Sequence, residues 1–341
     1  MMTTLIGFSR CRFAPRRTSK ACFRGLQQVR THMNHGGGGQ HHHHPHSKAG
    51  PRKTVSLGLE AAQSTSNILR LLEASHGGYL PSDALSTVWH PKGLLWKPFS
   101  EDPNKWMATS PTEPIKNGEA APKAIQSPRL LSISLSDDRT ALVKLVGVDG
   151  LTRYISLLRM DSEFLPTPQA GGMSVPNDGW FIVRELVSGE PKNTINHPET
   201  MAFLKETVLN YLSIEHGGGP EDKQRAEELF HPKASLLTIG AQPLEEPTSE
   251  WTGPVGSFVE ISRETYLEGV GSQTPHENSS KINDSIVSLD VHANIAAATV
   301  TVGNGAKTNV FCDHLLLVRS DVNDPDWKIV SKVFSSWAWT D

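Results

Sequence analysis

The sequence predicts an α+β protein built from two units of one fold in tandem, each with helices first and a run of antiparallel strands after. Two observations carry this. Motifs of the first half recur, in the same order, in the second half. Within each half the apolar spacing passes from a helical period to strand-like alternation. At 341 residues the chain has room for two or three domains. Its 37% hydrophobic and 20% charged content is that of an ordinary folded protein, with a loop-rich bias from 28 Gly and 23 Pro.

The repeat is explicit in the residues. Positions 71–95 read LLEASHGGYLPSDALSTVWHPKGLL, and positions 211–237 read YLSIEHGGGPEDKQRAEELFHPKASLL. His76-Gly-Gly matches His216-Gly-Gly, and Trp89-His90-Pro91-Lys92 matches Phe230-His231-Pro232-Lys233. Further on, Leu131–Leu145 parallels Val287–Thr301, Tyr154–Arg159 parallels His314–Arg319, and Gly179–Leu186 parallels Asp326–Val333.

In the second unit, Pro198 suits a first helical position and Glu199 the first turn. Met201, Leu204, Val208 and Leu212 follow helical spacing until Gly217–Gly219 ends the helix. A second helix spans about Pro220–Phe230 and stops before Pro232. Ser262 N-caps a third, through about Glu268. Strands follow near 284–292, 295–302, 308–319 and 327–337. The strand 308–319 is apolar on both faces, with Val310, Cys312, Leu316 and Val318 on one and Phe311, Leu315 and Leu317 on the other. Such a strand must be covered on both sides. Helices cover one; the sheet of the sister unit is the economical cover for the other.

The N-terminus differs in kind. Residues 1–59 carry ten of the 33 Lys and Arg and no acid, Glu60 being the first. Residues 60–341 therefore hold 23 bases against all 36 acids. An acidic globular part argues against a nucleic-acid partner. Arg10, Arg12, Arg16, Arg17, Lys20, Arg24 and Arg30 among Ser and Thr have the composition of a transit peptide, which predicts a mitochondrial destination, with a plastid as the alternative. Residues 36–60, with four consecutive Gly and His41–His44 and His46, read as a linker rather than a metal site. No apolar run approaches the ~18 residues of a membrane span. Cys312, the one cysteine beyond the presequence, predicts a buried thiol.

Phe230-His231-Pro232, Phe311-Cys-Asp313-His-Leu315-Leu-Leu317 and Asp326-Trp327-Lys-Ile-Val-Ser-Lys-Val-Phe334 together resemble the nuclear transport factor 2-like superfamily, in its lumazine-binding-like, or SnoaL-like, branch. The resemblance covers about 200–336 and, in degenerate form, 66–187, where Arg153 replaces the family's Asp. It implies two cones in tandem, each a curved antiparallel sheet wrapped on helices around a pocket, packed sheet to sheet as a pseudo-dimer. The domain scheme is transit peptide 1–35, linker 36–60, first domain 61–190, linker 191–200 and second domain 201–341. Some relatives are isomerases, cyclases or dehydratases and others only bind or scaffold, so the fold does not decide the function.

Enzymes on this fold move protons with an Asp or His base inside an apolar cone, where desolvation tunes the pKa. Asp313 is the candidate base. Asp313 and His314 are strand neighbours facing opposite sides, so they form no dyad. Tyr211, His231, Tyr266 and Trp251 are the candidate ligand-binding residues for a small apolar or aromatic ligand. No motif calls for a cofactor. The expectation is a non-catalytic organellar protein for small-molecule binding or assembly. The alternative is a metal-free SnoaL-like enzyme acting by proton transfer in the second cone.

Overall fold

The computed structural model describes residues 56–76, 85, 87–99, 102–111, 129–136, 139–147, 149–165, 178–189, 198–240, 256–274, 284–303, 309–320 and 324–338. The predicted transit peptide, the Gly/His-rich tract and Trp251 lie outside these residues. No helix among them is long and apolar enough to cross a membrane.

The first unit runs α1 (Ser56–His76), β1 (Trp89–Phe99), β2 (Asp102–Thr109), β3 (Arg129–Leu135), β4 (Thr140–Val146), β5 (Thr152–Arg159) and β6 (Trp180–Val187). The second runs α2 (Pro198–Glu215), α3 (Pro220–Leu229), β7 (Phe230–Ile239), β8 (Phe258–Ser262), α4 (Arg263–Ser272), β9 (Ser285–His292), β10 (Ile295–Gly303), β11 (Asn309–Val318) and β12 (Lys328–Ala338). The strand orders are β2-β1-β6-β5-β4-β3 and β8-β7-β12-β11-β10-β9, which are one topology written twice.

Local chemistry sets the helix boundaries. Pro198 and Glu199 open α2, and Leu204, Val208, Tyr211 and Leu212 turn its buried stripe to the sheet. Met201, which the spacing places in that stripe, is 36% exposed. Pro220 opens α3 behind Gly219, whose φ of +89° suits glycine. Ser262 caps α4, its hydroxyl accepting from the Thr265 N–H at 3.1 Å.

Two expectations need correction. The sheets are mixed rather than antiparallel, because β1 runs parallel to β6 and β7 parallel to β12. These partners are far apart in sequence, so no hairpin forces them to be antiparallel. Second, the His-Pro-Lys segments are parts of strands, β7 beginning directly where α3 ends. They lie in β1 and β7, where ladder pairing jumps from Trp89 to Leu94 and from Phe230 to Ser235. Proline fits there because its missing N–H is not needed by the ladder. The imidazoles serve the same irregularity in both units. His90 Nδ1 accepts from the Lys92 N–H at 3.2 Å, and His231 Nδ1 accepts from the Lys233 N–H at 3.1 Å.

The outer faces of the two sheets pack on each other. Trp96, Leu142, Tyr154 and Leu186 meet Ile295, Ala297, Leu316, Val318 and Val330. A second patch sets Leu158, Met160, Phe181 and Val183 against Leu237, Ile239 and Val333. Polar pairs fix the register between them. Arg184 donates to Glu260 at 3.0 Å, Lys144 lies 2.7 Å from Asp290, and Trp106 Nε1 donates to the Arg319 carbonyl at 3.1 Å. Burial lowers the Arg184 pKa to about 10 while Glu260 opposes the shift, so the guanidinium keeps its charge at neutral pH. At one end of the interface the Asp161 N–H donates to the Gly256 carbonyl at 3.1 Å.

Candidate functional site

The inner face of the second sheet, with α2, α3 and α4, encloses an apolar core that includes Leu204, Val208, Phe230, Leu236, Leu315 and Trp327. One polar group of β11 enters it. Asp313, opposite Phe334 on β12 and Val300 on β10, is fully buried on this face. His314 points the other way, where Ser136 of the first unit and Thr299 hydrogen-bond its ring.

Four side chains gather around Asp313. Tyr211 and Glu215, four residues apart on α2, share a helix face. Lys332 reaches in from β12 and Tyr266 from α4. The Tyr211 hydroxyl donates to Asp313 Oδ2 at 2.5 Å. Lys332 Nζ lies 3.3 Å from that oxygen and 2.8 Å from Glu215 Oε1, which also accepts from the Tyr266 hydroxyl at 2.8 Å. The ammonium sits 5.0 Å from the Phe334 ring centroid, 5.2 Å from that of Tyr211 and 5.7 Å from that of Tyr266. Asp313 Oδ1 is buried and has no hydrogen-bond partner among the described residues.

These contacts separate the two carboxyls. Burial pushes both upward. In Glu215, Lys332 and the tyrosine hydroxyls overcome burial and hold the carboxyl below its usual range. In Asp313 burial wins and the nearby Glu215 adds to it, so the carboxyl stays above its usual range despite Lys332. Burial raises Tyr211 and Tyr266 far above the ordinary phenol value, so both remain neutral donors. Lys332 is held protonated by the two carboxylates.

The first unit has the same positions filled with opposite charge. Arg153 pairs across to Val187 as Asp313 pairs to Phe334, and Glu185 pairs to Ile155 as Lys332 pairs to Leu315. Arg153 Nε donates to Glu185 Oε1 at 2.9 Å, while His76 Nε2 lies 3.1 Å from Glu185 Oε2. Both remaining Arg153 nitrogens donate to Asp149, at 2.8 and 2.5 Å. Every guanidinium nitrogen and both Glu185 oxygens are engaged, so this cluster has no polar atom left for a ligand.

Of the sequence-derived candidates, Asp313, Tyr211 and Tyr266 come together. His231 lies elsewhere, its ring edge-on to Trp96 of the first unit with centroids 5.0 Å apart. Trp251 lies outside the described residues. Sequence reasoning missed Glu215 and Lys332. Lys332 left only the signal of a lysine inside the apolar strand 327–337; a register shift after Ile329 turns it inward beside Phe334, out of phase with the inward Trp327 and Ile329. Two cavities lie elsewhere. One of about 990 Å³ runs along Phe203, Leu209, Arg225 and Trp327, and one of about 350 Å³ is lined by Arg139, Arg159, Asp161 and Asp178.

This geometry falls within residues 199–335, which match the family model described as "putative lumazine-binding". The second unit is similar to lumazine-binding-like domains. Similar solved structures include a nuclear transport factor 2-like protein of unknown function from Silicibacter pomeroyi, 23% identical, covering 42% of this chain and 100% of its own, with a TM-score of 0.32. Another, from Shewanella baltica, is 16% identical, covers 43% of this chain and 100% of its own, and has a TM-score of 0.32. A third, from Methylobacillus flagellatus, is 20% identical over 42% of this chain and 95% of its own, with a TM-score of 0.31. No functionally curated protein matches the chain.

Proposed function

We propose that the lumazine-binding-like domain binds a small molecule in its cone, with Asp313 as the polar anchor. The observation that carries this reading is the buried Asp313 Oδ1 without a partner, set among aromatic walls and beside a satisfied Tyr–Glu–Lys network. A buried carboxylate oxygen left without a donor is costly, and a ligand N–H or O–H removes that cost. Oδ1 has no solvent contact, so entry requires side chains to move. Phe334, whose ring centroid lies 5.0 Å from the Lys332 ammonium, and the half-buried Phe311, with its centroid 6.4 Å from that of Phe334, belong to this inward face. A fragment screen on the full chain by ligand-observed NMR tests the reading. Hits whose binding is lost in Asp313→Asn support it; hits indifferent to that change overturn it.

A second reading is proton-transfer catalysis in the same cone. It is favoured by the raised Asp313 carboxyl beside a neutral Tyr211 hydroxyl, an acid–base group next to a fixed donor. Loss of deuterium from an acidic C–D bond of a bound compound, abolished in Asp313→Asn, is its readout. We further propose that residues 1–35 direct the protein to the mitochondrion, on the strength of their acid-free, Arg-rich composition.

A further inference from the structure

We propose that the ligand of the second cone is a monocation, a protonated amine carried on a flat apolar body. This rests on the reading that Asp313 anchors a ligand, and adds the charge that the ligand must bear.

The charge count makes the argument. Among the described residues, Glu215, Asp313 and Lys332 are the charged side chains that converge, and Tyr211 and Tyr266 enter as neutral donors. Two carboxylates against one ammonium leave an excess of one negative charge where burial excludes water. The next titratable pair, His216 and Asp284, lies 2.7 Å apart at the end of α2, and Asp284 also accepts from the Gly303 N–H.

The excess has a definite address. Glu215 Oε1 takes both the Lys332 ammonium and the Tyr266 hydroxyl, while Asp313 Oδ2 takes the Tyr211 hydroxyl and the longer Lys332 contact. Asp313 Oδ1 takes nothing. An ammonium N–H donated to Oδ1 balances the cluster and forms a charge-assisted hydrogen bond. A neutral ligand leaves the excess in place, and an anion doubles it. The rings of Tyr211, Phe230, Tyr266, Phe311 and Phe334 supply the flat apolar surroundings that the rest of such a ligand needs. Among the described residues the first cone, with Arg153 and Glu185 saturated, offers no counterpart.

Without a ligand, a proton is the available counter-charge for Asp313, in keeping with its raised carboxyl. Amine binding then displaces that proton, and affinity rises with pH until the amine itself deprotonates.

The test is calorimetric titration of the full chain at neutral pH with 2-phenylethylamine, 2-phenylethanol and 3-phenylpropionate, each in two buffers of different ionisation enthalpy. The amine should bind about tenfold or more tightly than the alcohol, with the acid weakest. Its binding should release a fraction of a proton. Asp313→Asn should erase both the preference for the amine and the release. Equal affinity for alcohol and amine, still lost in Asp313→Asn, overturns the charge assignment and leaves cone binding standing. Amine binding unchanged in Asp313→Asn overturns both. Binding of none of the three overturns the charge assignment, and the fragment screen then decides the wider reading.

Discussion

Arg153 and Asp313 occupy the same position in two copies of one sheet, each in ladder register with the position two residues after its charged partner. Arg153 pairs with Glu185 and Asp149, and His76 takes the second Glu185 oxygen; Asp313 pairs with Lys332, which also holds Glu215. The pairing across β5–β6 and β11–β12 has been kept while its polarity was exchanged. Reversal preserves an ion pair but not the donor count. Arginine brings enough N–H groups to saturate its carboxylates, whereas lysine holds two carboxylates and leaves one oxygen over.

Lys332→Met should be severely destabilising. It leaves Asp313 and Glu215 facing each other without a cation, and breaking such a buried pair costs about 3–5 kcal/mol. Chemical denaturation measures the loss. Adding Asp313→Asn to Lys332→Met should recover a large part of it, because the repulsion then disappears. If the double variant is no better than the single one, the penalty is packing and not charge.

Asp313→Asn alone should have a pH-dependent effect. A carboxyl raised in the folded state binds its proton more tightly folded than unfolded. Its stabilising contribution is complete below the unfolded value of about 3.9 and is lost as pH rises through the folded value. The variant should therefore gain on the wild type as pH rises above about 4, with the gain levelling once Asp313 is fully ionised. Denaturation midpoints across the acidic range give the slope. A variant that loses ground as pH rises contradicts the assignment.

Glu185→Gln should behave in the opposite sense. Burial pushes Glu185 up, yet His76 and Arg153 together hold it below its usual range. Its contribution is present above the unfolded value of about 4.3 and is lost as pH falls through the lower folded value. The wild type should lead the variant by about 1–3 kcal/mol near neutrality. That lead should vanish in acid.

Gly256→Ala should weaken the contact between the units. Gly256 has φ of +81°, and a Cβ there would overlap the Asp161 carboxylate while the two residues share a backbone hydrogen bond. The left-handed strain alone costs about 1–2 kcal/mol. Faster hydrogen exchange at the Asp161 amide, against unchanged rates in β10, would locate the effect. Uniform change across both units would not.

N-terminal sequencing of the organellar protein should find a start near residue 35, since the acid-free basic run gives way there to the Gly/His-rich tract. A mature chain beginning at Met1 rules this out.

The repeat, the helices of the second unit and most strands were legible because they are written in local periodicity and local caps. Ser262 and Pro220 act where the sequence places them. Strands β1 and β7 were not, since Pro91 and Pro232 read as helix stops, and only their partners β6 and β12 show that the prolines sit in an unpaired stretch. The site divides in the same way. The alternation of β11 turns Asp313 inward, but Glu215 reads as an ordinary late-helix acid. It joins Lys332 through a contact 117 residues apart in sequence, which no local pattern encodes.

The sheet-to-sheet seam has a consequence for how the molecule answers to dilution. Trp96 and Leu316 belong to one polypeptide, so the halves meet at an effective concentration set by the tether and not by how much protein is present. A pair of separate subunits must remain self-complementary, and every substitution enters both sides of the seam at once. A fused pair is released from that rule. One half was free to fill its interior with a closed Arg–Glu–His cluster and become a permanent wall for the other, without any loss of pairing as the protein is diluted.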